Sequence, residues 1–286
     1  MAPDHNHIIR PKFNNLLTRL LSAIVLLPLA VLSILTGGIP YFIFVILITI
    51  LIIFEWNGIT EKKSISLLFS LQALSMTLLL LEINFGSPYL MISFCISLIA
   101  IVAMSYLIKA KIKWALIGFF YAFIPSVAIL LIGKNVSGQV VLWMMIVIWS
   151  MDTGAYFVGK NIGGPKMSPG ISPNKTWSGL IGGTITAMLF GFLYVHFFGD
   201  KILPIFKNAI ILIILSGVIA ILSQVGDLAE SALKRNFNTK DSGSIIPGHG
   251  GVMDRMDGIL FVAPIVLVLS YVLNSCKLKI NSLKLL

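Results

Sequence analysis

The sequence predicts an all-α, polytopic integral membrane protein of about nine transmembrane helices with a cytoplasmic N-terminus. Three observations carry this. Mean hydropathy is +0.98 and 57% of the residues are hydrophobic, well above the range of soluble chains. Only 11% of the residues are charged, and the charges gather between long apolar runs. At roughly 20 residues per crossing, nine such runs use up most of the 286 residues and leave no room for a sizeable soluble domain. The chain reads as a single membrane domain, 1–286, with N-terminal helices in 1–135 and candidate catalytic helices and cytoplasmic loops in 136–275.

The apolar runs occupy residues 17–36, 39–59, 64–82, 88–108, 114–132, 139–159, 176–199, 207–227 and 258–275. Lipid offers the backbone no hydrogen-bond partner, so each run is read as a helix. Arg10, Lys12 and Arg19 precede the first run, and no small-residue cleavage site follows it. An uncleaved first span is therefore expected. With the N-terminus inside, fifteen lysines and arginines fall on inner segments and six on outer ones, as the positive-inside rule requires. The discordant part is the tail, where Lys277, Lys279 and Lys284 would lie outside; an eight-span or C-in arrangement would suit them better. The net charge of +10 is explained by this bias and by anionic headgroups, with no aromatic-basic patch to suggest nucleic acid. Cys95 and Cys276 lie in or beside apolar runs, which argues against a disulfide framework or a cysteine metal site.

Two inner loops hold most of the unusual chemistry: "GKNIGGPKMSPGISPNKTWSG" after the sixth run and "KRNFNTKDSGSIIPGHGGVMDR" after the eighth. Six of the eleven acidic residues, Asp152, Asp227, Glu230, Asp241, Asp254 and Asp257, lie in or beside them. A carboxylate near hydrocarbon costs roughly 2.5–3.5 kcal/mol on insertion scales, so Asp152 and Asp227 are candidates for function or for a buried pair. On a continued eighth helix, Asp227 and Ser231 share a face, and so do Glu230 and Lys234. The second pair reads most simply as a helix-surface salt bridge. The first offers hard oxygens of the kind Mg²⁺ selects. Asp254 and Asp257 lie just before the ninth run, three apart, so a helical turn would bring them together, and a helix N-terminus there would suit one of them through its dipole.

The turn "PGHGG" places Gly248, Gly250 and Gly251 around His249. Such glycines suit positive φ, and consecutive amides suit an anion. Lys234, Arg235, Lys240 and Arg255 surround it, a composition fitted to phosphates with a divalent metal. In "ISPNKTWSG", Ser172, Lys175 and Thr176 lead into a helix N-terminus, a second favourable place for an anion. Its spacing is not that of a P-loop.

The segment "SALKRNFNTKDSGSIIPGHGGVMDRMD", Ser231 to Asp257, resembles the signature of the phosphatidate cytidylyltransferases (CDP-diacylglycerol synthases) at every fixed position. "DTGAYFVGK" and "SPNKTWSG" are similar to two further motifs of that family, in the same order, although Ser178 stands where the family often has Glu. The resemblance is strong from Asp152 to Asp257; the first five runs match only in being apolar. It implies a nucleotidyltransferase of phospholipid biosynthesis. CTP and phosphatidic acid would give CDP-diacylglycerol and pyrophosphate with Mg²⁺, at the cytoplasmic face of a bacterial-type inner membrane. A second cation and a homodimer are left open. In this reading Asp227, Asp254 and Asp257 hold Mg²⁺, and they act in catalysis with Lys234 and Arg235. Ser172, Lys175, Thr176, Ser231, Lys240, His249, Gly250, Gly251, Arg255 and Asp152 contact substrate. Two rivals are weaker. A CDP-alcohol phosphotransferase would need a D-G-x2-A-R spacing that this chain lacks. A cation-coupled transporter would need charges at mid-membrane on several helices.

Overall fold

The computed structural model describes residues 12–198 and 209–283, with side chains described for 18–198 and 210–272. Among them, nine helices are long and apolar enough to cross a membrane. They are α1 (Lys12–Thr36), α2 (Gly38–Thr60), α3 (Leu67–Phe85), α4 (Leu90–Leu107), α5 (Ile112–Leu131), α6 (Gly138–Ile162), α7 (Trp177–Phe198), α8 (Ala209–Asn236) and α9 (Met253–Leu283). Each expected run is therefore a helix. The eighth and ninth reach further toward their shared connection than hydropathy suggests, because the polar ends of α8 and α9 continue the same helices. Lys201, Lys207, Cys276 and the tail lysines lie outside the residues whose side chains are described, as do Arg10 and Lys12.

The loop after α6 is not simply irregular. It folds into an antiparallel hairpin of β1 (Lys166–Ser168) and β2 (Ser172–Thr176), with Lys166 opposite Thr176 and Ser168 opposite Ser172. The strand runs directly into α7. Thr176 serves as that helix's cap: its Oγ1 accepts the Gly179 amide at 3.1 Å. Ser66 and Ser137 cap α3 and α6 in the same way, at 3.1 Å each. The residue before α9 is Val252, which has no side-chain acceptor to offer.

Helices α2, α3 and α5 are tied by polar groups inside the apolar bundle. Asn57 Nδ2 donates to Gln72 Oε1 at 2.8 Å, and Gln72 Nε2 donates to the Ala115 carbonyl at 2.9 Å. Trp56 Nε1 donates to the Trp114 carbonyl at 3.0 Å. Such bonds hold helices together where lipid removes the hydrophobic drive. Helix α5 also packs on α9, joining this group to α6–α9.

Helices α6 and α7 approach through small residues. Gly179, Gly183, Ala187 and Gly191 recur every four positions on α7 and are all buried, so they form one stripe. A Cβ at Gly183 would come within 2.6 Å of Met151 Sδ and 2.7 Å of its carbonyl oxygen. Gly183→Leu should therefore separate the two helices and lower the thermal unfolding temperature in detergent, with an overpacking cost on the order of 1–3 kcal/mol. Ile181→Ala, on the lipid-facing side, serves as the control and should leave that temperature nearly unchanged.

Candidate active site

One cavity of about 1260 Å³ opens where the hairpin, the α8–α9 connection and helices α1, α2 and α6 meet. Its polar end is walled by Asp152, Lys175, Asp227, Lys234, Asp254 and Asp257, joined by Ser172, Thr176, Asp241, His249 and Arg255. Its other walls are apolar, with Leu21, Val25, Leu26 and Leu29 of α1 facing Phe44, Leu47 and Leu51 of α2. The two loops singled out in the sequence thus lie at the same end of the bundle and share one chamber.

The charged groups are paired across elements. Lys175 of β2 reaches Asp227 of α8 at 2.5 Å. Ser231 Oγ donates to the same carboxylate at 3.3 Å, so the expected shared face of Asp227 and Ser231 is present, and the hairpin supplies the cation. Lys234 and Glu230 pair at 3.0 Å. That pair is buried, however: Glu230 and Lys234 are 2% and 8% exposed, so it is not a surface bridge. Lys234 Nζ also lies 2.6 Å from Asp254 Oδ1, and Tyr121 Oη donates to Glu230 Oε2 at 3.0 Å. Desolvation makes such a cluster costly to break once formed.

Asp254 is heavily committed. Besides Lys234, its oxygens accept the Ser242 amide at 3.1 and 3.0 Å and the Gly251 amide at 3.0 Å. Asp257 is different. It lies in the first turns of α9, faces the cavity, and accepts the neighbouring Gly258 amide at 2.7 Å. Asp152, Asp227 and Asp257 are near enough for their charges to interact. Among the described residues no group of three or more His, Cys, Asp or Glu forms a ready-made metal cage. The open oxygens on the cavity wall are carboxylates, the hard donors suited to Mg²⁺, which needs only one or two of them beside water and phosphate oxygens.

The glycine turn differs from its sequence reading. It is not a nest of free amides. The His249 and Gly250 amides both donate to the Ile246 carbonyl, at 3.0 and 3.2 Å, and the Gly251 amide goes to Asp254. Gly248 and Gly250 have φ of 78° and 91°, values that favour glycine. Gly251 is required for space, since a Cβ there would fall 1.8 Å from Ser242 Oγ. Arg255 turns back on the same turn, with Nη2 donating to the His249 carbonyl at 2.7 Å. Arg235, expected to bind phosphate, does not wall the cavity. Its Nε donates to Ile171 O at 3.3 Å and its Nη1 to Thr239 O at 3.0 Å, which fastens the hairpin to the end of α8. Ser231, Lys240, Gly250 and Gly251 are likewise behind or beside the wall, and Lys240 is exposed. Thr176 lines the cavity while capping α7. Ser178 Oγ donates to the Gly163 carbonyl, which ties the start of α7 to the end of α6.

Sequence reasoning missed three contributors. Glu55 of α2 is 1% exposed and accepts from Ser242 Oγ, Val252 N and Met253 N at 3.0, 2.9 and 2.7 Å. Its signal was a lone carboxylate inside the run "IIFEWNG", the same cost argument that singled out Asp152. Arg19, read only for sidedness, donates from Nε to the Gly248 carbonyl at 2.8 Å. Ser22 Oγ lies 2.8 Å from His249 Nδ1 and 3.1 Å from the Pro247 carbonyl, so α1 holds the glycine turn.

Comparison with known proteins shows the family. The model of the cytidylyltransferase family matches residues 17–273. This chain belongs to the cytidylyltransferase family. A phosphatidate cytidylyltransferase from Brucella suis is 37% identical over 260 residues, covering 88% of this chain and 92% of that protein. One from Staphylococcus aureus is 31% identical over 262 residues, covering 88% and 96%. One from Rickettsia typhi is 43% identical over 163 residues, covering 55% and 70%. The family match reaches into the first five helices, where the motifs are silent.

Burial, then the positive charges of Arg255 and Arg19, hold the His249 imidazole below its ordinary pKa. The folded protein thus takes up this proton less readily than the unfolded chain. Stability from this group is retained above the ordinary histidine pKa near 6.5 and lost as pH falls below it. Between about pH 7.5 and 5.5, the unfolding temperature of the wild type should fall more than that of His249→Gln. Parallel slopes for the two proteins would remove the assignment.

Proposed function

We propose that this chain is a phosphatidate cytidylyltransferase, converting CTP and phosphatidic acid to CDP-diacylglycerol and pyrophosphate. The observation that carries the reading is the single cavity with a charged end and a greasy end. A water-soluble triphosphate and a lipid headgroup can meet only in such a chamber. The names of the relatives from Brucella suis, Staphylococcus aureus and Rickettsia typhi agree with it.

In the reaction, an oxygen of the lipid phosphate attacks the α-phosphorus of CTP. The new P–O bond forms as the bond to the β-phosphate breaks, and pyrophosphate leaves with that electron pair. No covalent protein intermediate is required, because positioning and charge neutralisation carry most of such a transfer. Lys175, Lys234 and Arg255 are the cations on the cavity wall that can meet phosphate oxygens. Lys175 would exchange its Asp227 contact for a phosphate. Lys234 is aimed by Glu230 and Asp254, so its ammonium enters the site already oriented. Mg²⁺ would be held by Asp227 and Asp257, where it would offset phosphate charge and orient the leaving group. Asp254 suits this less well, since backbone amides at Ser242 and Gly251 fix both its oxygens, whereas Asp227 is met only by side chains that can turn away. Asp152, whose charge interacts with that of Asp227, is the carboxylate best placed for a second cation. We place the charged end at the cytoplasmic face of the inner membrane. The lysine and arginine bias supports that side, and CTP is a cytoplasmic nucleotide.

Purified protein in detergent micelles with phosphatidic acid and labelled CTP should release pyrophosphate and form a lipid-linked label. Chelation of divalent ions should stop turnover and Mg²⁺ should restore it. Asp257→Asn should remain folded and lose turnover by about 10²-fold or more, the scale for losing one group that stabilises transition-state charge. No lipid-linked label from the wild type would end this reading, and wild-type turnover in Asp257→Asn would end the metal assignment.

A further inference from the structure

The contacts of Glu55 are unusual for a buried carboxylate. Among the described residues no ion pair reaches it. It instead accepts three hydrogen bonds from the α8–α9 connection and the first residue of α9, 187 to 198 positions away in the chain. Two of the donors are the Val252 and Met253 amides, at the point where α9 starts. The first amides of a helix have no intrahelical partner, and Val252 cannot cap them. Glu55 thus supplies from α2 the cap that the local sequence lacks, and its charge lies at the favourable end of the α9 dipole.

The same turn is shared with Asp254. The amides at Gly251, Val252 and Met253 are consecutive: the first goes to Asp254 and the next two to Glu55. Ser242 is divided in the same manner, with its amide on Asp254 and its Oγ on Glu55. Glu55 and Asp254 therefore hold one small unit of backbone between them. A Cβ at Gly243 would fall 2.8 Å from Glu55 Oε1, and one at Gly251 would fall 2.6 Å from Oε2, so two glycines of the motif make room for this carboxylate. Asp254 in turn holds Lys234 at 2.6 Å on the cavity wall.

We infer that Glu55 is a positioning residue for the transfer reaction: by fixing Ser242 and the turn 251–253, it sets where Asp254 and Lys234 stand in the cavity. The inference rests on the cytidylyltransferase reading for its reaction, but its geometric half is independent of that reading. Glu55 touches no part of the cavity itself. Its removal acts through Asp254 and Lys234, so it should slow the chemical step more than it weakens nucleotide binding.

The test compares wild type, Glu55→Gln and Glu55→Ala, all purified in detergent. Two quantities are measured: steady-state turnover of CTP with phosphatidic acid, and hydrogen–deuterium exchange along the chain. Gln keeps the volume and one acceptor oxygen but sets an NH₂ against a backbone amide. Its kcat should fall by roughly 10-fold, and that of Ala by about 10²-fold, the scale for a displacement near 1 Å at a reacting group. The KM for CTP should stay within about twofold, as for a loss confined to the transition state. Exchange should quicken in the peptides covering Ser242 and 251–253 and stay at the wild-type rate in α6 and α7. Unchanged kcat in both variants, or faster exchange spread through every helix, would overturn the inference. If the wild type fails to turn over CTP with phosphatidic acid, the functional reading falls. The exchange pattern still decides whether Glu55 fixes the turn.

Discussion

The site depends on one buried arrangement of charge, the ammonium of Lys234 held between Glu230 and Asp254. Taking three charges out of water is unfavourable unless each is met by an opposite charge or a full set of hydrogen bonds. Lys234 and Glu230 lie on α8, and Asp254 lies on α9. Their compensation is satisfied only if these two helices meet at this level and in this rotation. The Tyr121 hydroxyl, from α5, completes the coordination of Glu230, so the constraint reaches a third helix. The remaining parts of the cavity are hung from that joint: the hairpin by Lys175 and Arg235, α2 by Glu55, and α1 by Arg19 and Ser22.

This explains how an apolar bundle keeps a charged chamber at one end. Lipid cannot solvate a carboxylate or a free amide, so each such group must be answered within the protein. The groups that are answered fully, Glu55 and Glu230, are buried and serve as supports. Asp152, Asp227 and Asp257 line the cavity, and Asp227 is met there by the side chains of Lys175, Ser231 and Gln224, with no backbone amide fixing it. The division between support and function follows from burial and from whether a carboxylate lines the cavity, not from its number of partners.

The nine helices, their approximate limits and the two polar loops were legible from the sequence because they rest on local quantities. Hydropathy over about 20 residues and the spacing of glycines and charges need no partner from elsewhere in the chain. The pairing of Asp227 with Ser231 and of Glu230 with Lys234 was legible for the same reason, through the helical repeat. The hairpin at 166–176 was not, since its strands are only three and five residues long and mostly polar. Glu55 stood out locally only as a lone carboxylate in an apolar run, and its role was hidden because its partners lie nearly two hundred residues later.

By itself the sequence determined the membrane class, the helical repeat and the inventory of charged side chains, together with the motif that marks the family. Which carboxylates are spent on structure and which remain open was decided only by tertiary structure. The motif presents Asp254, Asp257, Arg235 and Arg255 as equivalent candidates, and the fold separates them. Asp254 is taken up by Lys234 and two amides, and Arg235 by the hairpin, while Asp257 is left facing the cavity. The physical reason is that a side chain's hydrogen-bonding capacity is filled by whatever lies within about 3 Å, and that distance is set by helix packing.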